Sequence, residues 1–467
     1  MPADSARPER PPRQQMPEQE PAVRARNFDE VALGLTEEMA VLEASRCLGC
    51  RRPKCVEQCP VGVDIPGFLS LAKERRFDEA VALVRARNSL PAVCGRVCPQ
   101  ENQCEGACVL GRKAEPLSVG RVERFLGDNA LKGGRPASRS LDGPRVAVVG
   151  SGPAGLTVAG DLAQAGYRVT VFDALHSAGG VLRYGIPNFR LPKSVLDDEL
   201  DYIRSLGVEI RPNSVIGRLF TVPSLLESGY RAVFIGTGAG TPHFLGIPGE
   251  NMNGVYSANE FLTRVNLMQA YRLGEVDTPI TVGRRVAVVG GGNVAMDAAR
   301  VALRMGAEEV TIVYRRSRAE MPARGEEVVH AEEEGVRFEM LAAPTRVLPA
   351  ADFLVGGMEC LRMELGEPDA SGRRRPVPRE GSEFVIDADT VVIAIGSSAN
   401  PLIQQTTPGL AVTDRGYIAV SKGTEQTSLP RVYAGGDVVT GSATVIEAMG
   451  AGRSASAAIQ EELAGAA

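Results

Sequence analysis

The hexapeptide Arg145-Val-Ala-Val-Val-Gly150 returns unchanged as Arg285-Val-Ala-Val-Val-Gly290. Each copy is a short apolar strand running into a glycine-rich turn: Gly150-Ser-Gly152-Pro153-Ala154-Gly155, then Gly290-Gly291-Gly292-Asn293-Val294-Ala295. After each turn comes a helical stretch and a second apolar strand, Arg168–Phe172 in the first copy and Val310–Tyr314 in the second. Strand, glycine turn, helix and strand in that order make the unit that sets a dinucleotide pyrophosphate on a helix N-terminus. The chain is therefore α/β, with two Rossmann-like nucleotide-binding domains that arose by duplication and not from a short solenoid repeat. Two more apolar strands end in glycine, Ala232–Gly236 and Val391–Gly396.

The loops differ where nucleotides differ. In the first, Gly150 permits the tight turn, Gly152 the approach of the pyrophosphate and Gly155 close helix–strand packing. Its second strand ends at Asp173, a carboxylate able to accept hydrogen bonds from a ribose hydroxyl. The second loop has no such acid; Arg315-Arg316 follow Tyr314, as a 2′-phosphate would require. That predicts FAD first and NADP(H) second. Arg318 and Arg324 lie near enough in sequence to assist. A late Gly435-Gly436-Asp437 after an apolar strand can aim a carboxylate at the flavin ribityl chain, with a helix start at Ala443, Thr444 and Val445 facing the ring. Hydride transfer between stacked rings needs position more than an acid or base, and no catalytic triad is evident. The three histidines, His176, His243 and His330, are scattered.

Eight of the nine cysteines precede both loops: Cys47-x2-Cys50-x4-Cys55-x3-Cys59-Pro60, then Cys94-x3-Cys98-x5-Cys104-x3-Cys108. Two runs of four suggest two metal centres. Neither has the paired C-x2-C knuckles usual for zinc, and the Cys-Pro ending is ferredoxin-like, so two [4Fe–4S] clusters are favoured over zinc or disulfides. Cys360 stands alone in an apolar stretch and reads as a buried small hydrophobe. Helical periodicity over Glu37–Ser45 and Phe77–Val84 places the cysteines in a helical domain.

The expected organisation is a disordered leader at 1–27, a helical iron–sulfur domain at 28–140 closed by a linker at 132–138, and an FAD domain at 141–280 and 391–467 with the NADP(H) domain, 281–390, inserted. The Pro-, Arg- and Glu-rich leader lacks the apolar core of a signal peptide, and the chain shows no run of about 18 apolar residues. With thiol motifs and no secretory signal, the cytoplasm is the expected compartment. A net charge of −5 without long basic blocks argues against nucleic acid.

Taken together, Ala92-Val-Cys-Gly-Arg-Val-Cys-Pro99, Tyr184-Gly-Ile-Pro-Asn-Phe-Arg-Leu-Pro-Lys193, Gly290-Gly-Gly-Asn-Val-Ala-Met-Asp297, Tyr314-Arg-Arg and Ala434-Gly-Gly-Asp437 resemble the glutamate synthase small (β) subunit family. The same architecture is shared by dihydropyrimidine dehydrogenase and the large subunit of NADH-dependent ferredoxin:NADP oxidoreductase. The resemblance implies an electron-input subunit in which NADPH reduces FAD and electrons leave through two clusters. The partner would be a large FMN-containing glutamate synthase subunit or, alternatively, a small flavin/ferredoxin-type subunit of a transhydrogenase, bifurcating or sulfide dehydrogenase-type complex; a homo-oligomer is also possible. Arg190 matches a flavin-contacting arginine, Gly180 and Val181 join the FAD-side set, and Ala394 to Gly396 match a nicotinamide-side loop. It further implies Cys47, Cys50, Cys55 and Glu123 for one cluster and Cys59, Cys98, Cys104 and Cys108 for the other, with Cys94 a bystander.

Overall fold

Both copies of the hexapeptide are central strands of separate five-stranded parallel sheets. The computed structural model describes residues 10–132, 140–272, 274–370 and 372–465, so the linker expected at 132–138 lies almost wholly outside the described residues. The first sheet runs Val432–Ala434, Ala232–Ile235, Arg145–Val149, Arg168–Phe172, Glu209–Arg211. The second runs Val255–Ser257, Thr390–Ile393, Arg285–Val289, Glu309–Tyr314, Arg337–Met340. The central strands are buried on both faces, which is why they read as continuous apolar runs without alternation.

The inserted unit is larger than expected. Val255–Ser257 and Thr390–Ile393 pair within the second sheet, so it reaches from 255 to 393, and the chain rejoins the first sheet only at Val432. A short strand such as Val255–Ser257 or Thr390–Ile393 fits either sheet equally well, so its composition could not reveal its partner. The two connections between the units run side by side as antiparallel Thr241–Pro242 and Ser397–Ser398. A three-stranded antiparallel sheet, Ala342–Pro349, Val355–Pro368 and Arg374–Ile386, was not anticipated. Its last strand is mostly exposed and carries Pro376 and Pro378, which hides a strand pattern.

Ahead of the sheets lies the helical domain, with helices Glu37–Ser45, Ile65–Lys73, Phe77–Arg85, Pro91–Val97 and Val119–Lys132. Thr36 caps the first, its hydroxyl accepting from Met39 N at 3.3 Å, and Asp64 caps the second, accepting from Gly67 N at 3.1 Å.

The expectation of a disordered leader fails for residues 10–27; residues 1–9 lie outside the described set. Residues 10–34 strap all three units together. Arg13 pairs with Glu105 of the helical domain at 2.6 Å, and Val31 N donates to Phe189 O of the first nucleotide unit at 2.9 Å. Phe28 stacks on Tyr271 with ring centroids 4.6 Å apart. Arg24, with its side chain 2% exposed, pairs with Glu333 at 2.5 Å and Glu334 at 3.2 Å of the second nucleotide unit. Glu334 also holds Arg300 and Arg304, at 2.7 and 2.6 Å. Charged residues read as solvated until their distant partners are known; here the partners lie about 300 positions away, and burial with complete pairing makes the strap structural.

Candidate functional site

At the C-terminal edge of the first sheet, the glycine turn behaves as its pattern requires. Gly150 has φ +101°, and a Cβ there would lie 2.4 Å from Gly236 O. A Cβ on Gly155 would meet Gly150 O at 2.0 Å, and one on Gly180 would meet Gly152 Cα at 2.8 Å. Gly152 faces open space, with no heavy atom within 4 Å of a built Cβ, at the N-terminus of helix Pro153–Gln164. Open space beside unpaired helix N–H groups is what a pyrophosphate needs. Pro153, Ala154 and Gly155 form the first turn of that helix, and Val181 starts the short helix Val181–Tyr184 opposite.

Asp173 ends the second strand as expected, but its carboxylate already accepts from Ser151 N at 2.8 Å, from the Ser151 hydroxyl and from Leu175 N at 2.8 Å. It therefore fixes the glycine loop, with Ser151 the unforeseen partner inside the motif itself. Asp437 follows the strand Val432–Ala434, and burial pushes its carboxyl up to about 6 even though Ala443 N donates to it at 3.2 Å. Thr444 and Glu447 cap the 21-residue helix Val445–Gly465 reciprocally: Thr444 N donates to Glu447 Oε2 at 2.9 Å, and Glu447 N to Thr444 Oγ1 at 3.3 Å. That helix packs along Pro153–Gln164, so two helix N-termini converge on one side of the sheet.

Arg190 makes contacts that the expectation did not include. Its guanidinium bonds both oxygens of Asp297, at 2.8 and 2.7 Å, and its Nε lies 2.8 Å from Glu327 without hydrogen-bond alignment. It ties the first nucleotide unit to the second. Sequence could not reveal this, since Asp297 and Glu327 lie on another domain.

In the second unit, a Cβ on Gly290 would sit 2.3 Å from Ala394 O, and one on Gly291 2.6 Å from the Tyr314 ring. Ala394 thus lies beside the loop, and Gly396 follows it with φ +105°. Gly292 precedes helix Asn293–Arg304, Ala295 is buried, Val294 is exposed, and Asn293 Oδ1 accepts from Arg324 N at 2.9 Å. The dibasic pair divides. Arg315 is exposed at the strand end, with no ion pair among the described residues. Arg316 is buried, bonding Asp369 Oδ2 at 2.7 Å and Arg374 O at 2.8 Å on the antiparallel sheet. Its expected role at the nucleotide is corrected to a structural one, because the unforeseen sheet supplies its acceptors. Arg318 pairs with Glu332, and Arg324 with Glu101 and Glu326. Cys360 is fully buried in that sheet, as read.

All nine cysteines are free thiols, and the eight of the helical domain gather in two groups that cut across the two sequence runs. Cys47, Cys50, Cys55 and Cys108 line one apolar cavity in the helical domain. Burial and the neighbouring Cys108 push the Cys55 thiol up to about 11. The second group holds Cys59, Cys98, Cys104 and Glu123, with Cys94 beside them: Cys59 senses Glu123 and Cys98, and Cys104 senses Glu123, Cys98 and Cys59. The expected grouping is thereby corrected, Cys108 and Glu123 exchanging places. The chain doubles back between residues 59 and 98, so chain order does not report which thiols meet. Burial pushes the Glu123 carboxyl up to about 7, and Asn88 Nδ2 donates to it at 2.7 Å. Asn88 Oδ1 also lies 3.6 Å from Cys94 Sγ, which touches Met449 Sδ at 3.4 Å. Four soft donors in one pocket, and three plus a carboxylate in the other, fit iron–sulfur ligation, since a bound cation stabilises the thiolates that burial disfavours.

The comparisons agree with these units. Residues 24–135 match the family described as dihydropyrimidine dehydrogenase domain II, 4Fe-4S cluster, and residues 144–460 match the pyridine nucleotide-disulphide oxidoreductase family. The Escherichia coli glutamate synthase [NADPH] small chain is 39% identical over 94% of this chain and 95% of its own. The NADP(+)-dependent formate dehydrogenase subunit beta of Moorella thermoacetica is 42% identical over 88% of this chain, which spans only 60% of that protein. Among solved structures, Mycobacterium tuberculosis FprA in complex with NADPH superimposes with a TM-score of 0.58 at 22% identity, covering 70% of this chain and 86% of FprA. With its pyridine nucleotide-disulphide oxidoreductase core and its 4Fe-4S domain, the chain belongs to the glutamate synthase small chain family, whose members are NADPH-dependent FAD and iron–sulfur oxidoreductases.

Proposed function

We propose that this chain is the electron-input subunit of a larger assembly, holding FAD at the first glycine loop, NADP(H) at the second and one [4Fe–4S] cluster in each thiol group. When bound, these groups supply hydride acceptance at the flavin and its division into single electrons. Gly150, Gly152, Gly155 and Gly180 clear the backbone for the first nucleotide, and Ser151 with Asp173 holds that loop in shape. Gly436, Asp437 and the Val445 helix start complete the flavin side, while Arg315 takes the 2′-phosphate beside Gly290–Ala295. Cys59, Cys98, Cys104 and Glu123 form the inner ligand set; Cys47, Cys50, Cys55 and Cys108 form the outer one.

The observation that carries this reading is the serial order of the groups. A Cβ on Gly450, in the flavin-side helix, would lie 2.9 Å from Pro60 O, next to Cys59, and Met449 in the same helix touches Cys94. The inner group is thus packed against the flavin unit, with Cys94, Cys98 and Cys104 buried, whereas all four outer thiols are partly exposed.

The partner we propose is the large glutamate-forming subunit, supported by the near full-length match to glutamate synthase small chains. A cytoplasmic location fits nine free thiols. Co-purification followed by assay for glutamine-dependent NADPH oxidation tests the partner. Recovery of a small flavoprotein without that activity would replace it by the transhydrogenase-type reading and leave the input role intact.

A further inference from the structure

The outer thiol cavity opens onto a surface whose charge opposes that of the chain. The chain carries −5 overall, yet Arg51 and Arg52 fill the turn between Cys50 and Cys55, and Arg112 and Lys113 follow Cys108 within five residues. All four are exposed, and none has an ion pair among the described residues. Elsewhere in the helical domain, Arg75 and Arg76 are matched to Glu37, Glu74 and Glu79. The acids next to lining residues in the chain are Glu57, already paired with Lys54, Asp64, which caps its own helix by accepting from Gly67 N, and Glu115 a few residues beyond Lys113. Leu48, 42% exposed, is apolar surface at the mouth itself and lines the cavity.

Resting on the reading of the outer thiols as the exit, we propose that this mouth docks the acidic face of a redox protein, with Leu48 at the centre and Arg51, Arg52, Arg112 and Lys113 as the rim. Unpaired rim cations speed and orient encounter with an acidic partner more than they add to final affinity, and salt screens them. Apolar contact at Leu48 excludes water from the short path to the outer thiols. The cations flank the cavity on two separate chain segments, so a partner must engage both to sit over it.

The test uses the holoprotein, a purified acidic flavodoxin as probe and a basic cytochrome c as control. Surface plasmon resonance should show flavodoxin binding that weakens as salt rises. The Arg51→Glu/Arg52→Glu double variant should weaken it at least tenfold, and Arg112→Glu/Lys113→Glu, on the other segment, should do the same if the first variant fails to fold. Both should bind the cytochrome more tightly than wild type does. Bleaching of the bound flavin by NADPH should be unchanged in every variant; its absence in wild type would sink the input role instead. Flavodoxin binding that is absent, indifferent to salt, or unaltered by both charge reversals overturns the proposed dock.

Discussion

Arg315 and Arg316 are neighbours of the same type, and the structure gives them opposite fates. Arg315 is exposed beside the second glycine loop with no ion pair among the described residues, whereas Arg316 is buried against Asp369 and Arg374 O. A charge-assisted hydrogen bond to a 2′-phosphate contributes about 2 kcal/mol, and at 1.4 kcal/mol per decade that is about thirtyfold in affinity. Arg315→Ala should therefore raise the KM for NADPH about thirtyfold, with kcat little changed and the NADH parameters unmoved, since NADH has no phosphate there to lose. Arg316→Ala should leave the NADPH-to-NADH ratio intact and instead destabilise the fold by about 1–3 kcal/mol, because the buried bonds from its guanidinium to Asp369 Oδ2 and Arg374 O are lost. Steady-state kinetics with both nucleotides, beside thermal melts, separate the two. An Arg315→Ala protein with unaltered NADPH preference, or an Arg316→Ala protein that loses preference while keeping its stability, would refute the assignment.

Other expectations follow from the same geometry. Gly155→Ala drives a Cβ to 2.0 Å from Gly150 O, so the purified protein should lack flavin absorbance while keeping its iron; full flavin content would contradict the placement of FAD. Cys47→Ser and Cys108→Ser should remove the same cluster signal in electron paramagnetic resonance, and Glu123→Ala should alter the other; Cys47→Ser acting on the signal that Glu123→Ala changes, and not on the one that Cys108→Ser removes, would restore the grouping the resemblance implied. Glu334, which Arg300 and Arg304 hold down at about 2 from an ordinary 4.5, contributes stability that is present above pH 4.5 and lost as pH falls through about 2. Glu334→Gln should thus cost about 3 kcal/mol near neutral pH, with the gap to wild type closing across that acid window; a gap independent of pH would show that its charge is not what holds the strap.

What could be read from sequence was what local patterns determine. The repeated hexapeptide, the glycine turns, the helices that follow them and the helix start near Thr444 are set by nearest neighbours, and the structure has them, with the first two helices beginning inside the turns at Pro153 and Asn293. What could not be read depends on partners far along the chain. Cys108 and Glu123 exchange groups because the chain folds back on itself. Arg24 is buried because Glu333 and Glu334 await it, and Arg190 reaches Asp297 across a domain boundary. Arg316 was misjudged because the antiparallel sheet that binds it alternates prolines and exposed charges, leaving no strand signature.

The central claim is that one chain collects electrons from NADPH at a flavin and passes them singly through the two thiol groups. Anaerobic mixing with NADPH, followed by optical spectroscopy and freeze-quenched electron paramagnetic resonance, tests it directly. Flavin bleaching should come first, then paramagnetic signals from two reduced iron–sulfur clusters, with NADH far slower at both. Protein that binds zinc without iron, or whose flavin bleaches while no cluster signal ever appears, would contradict it.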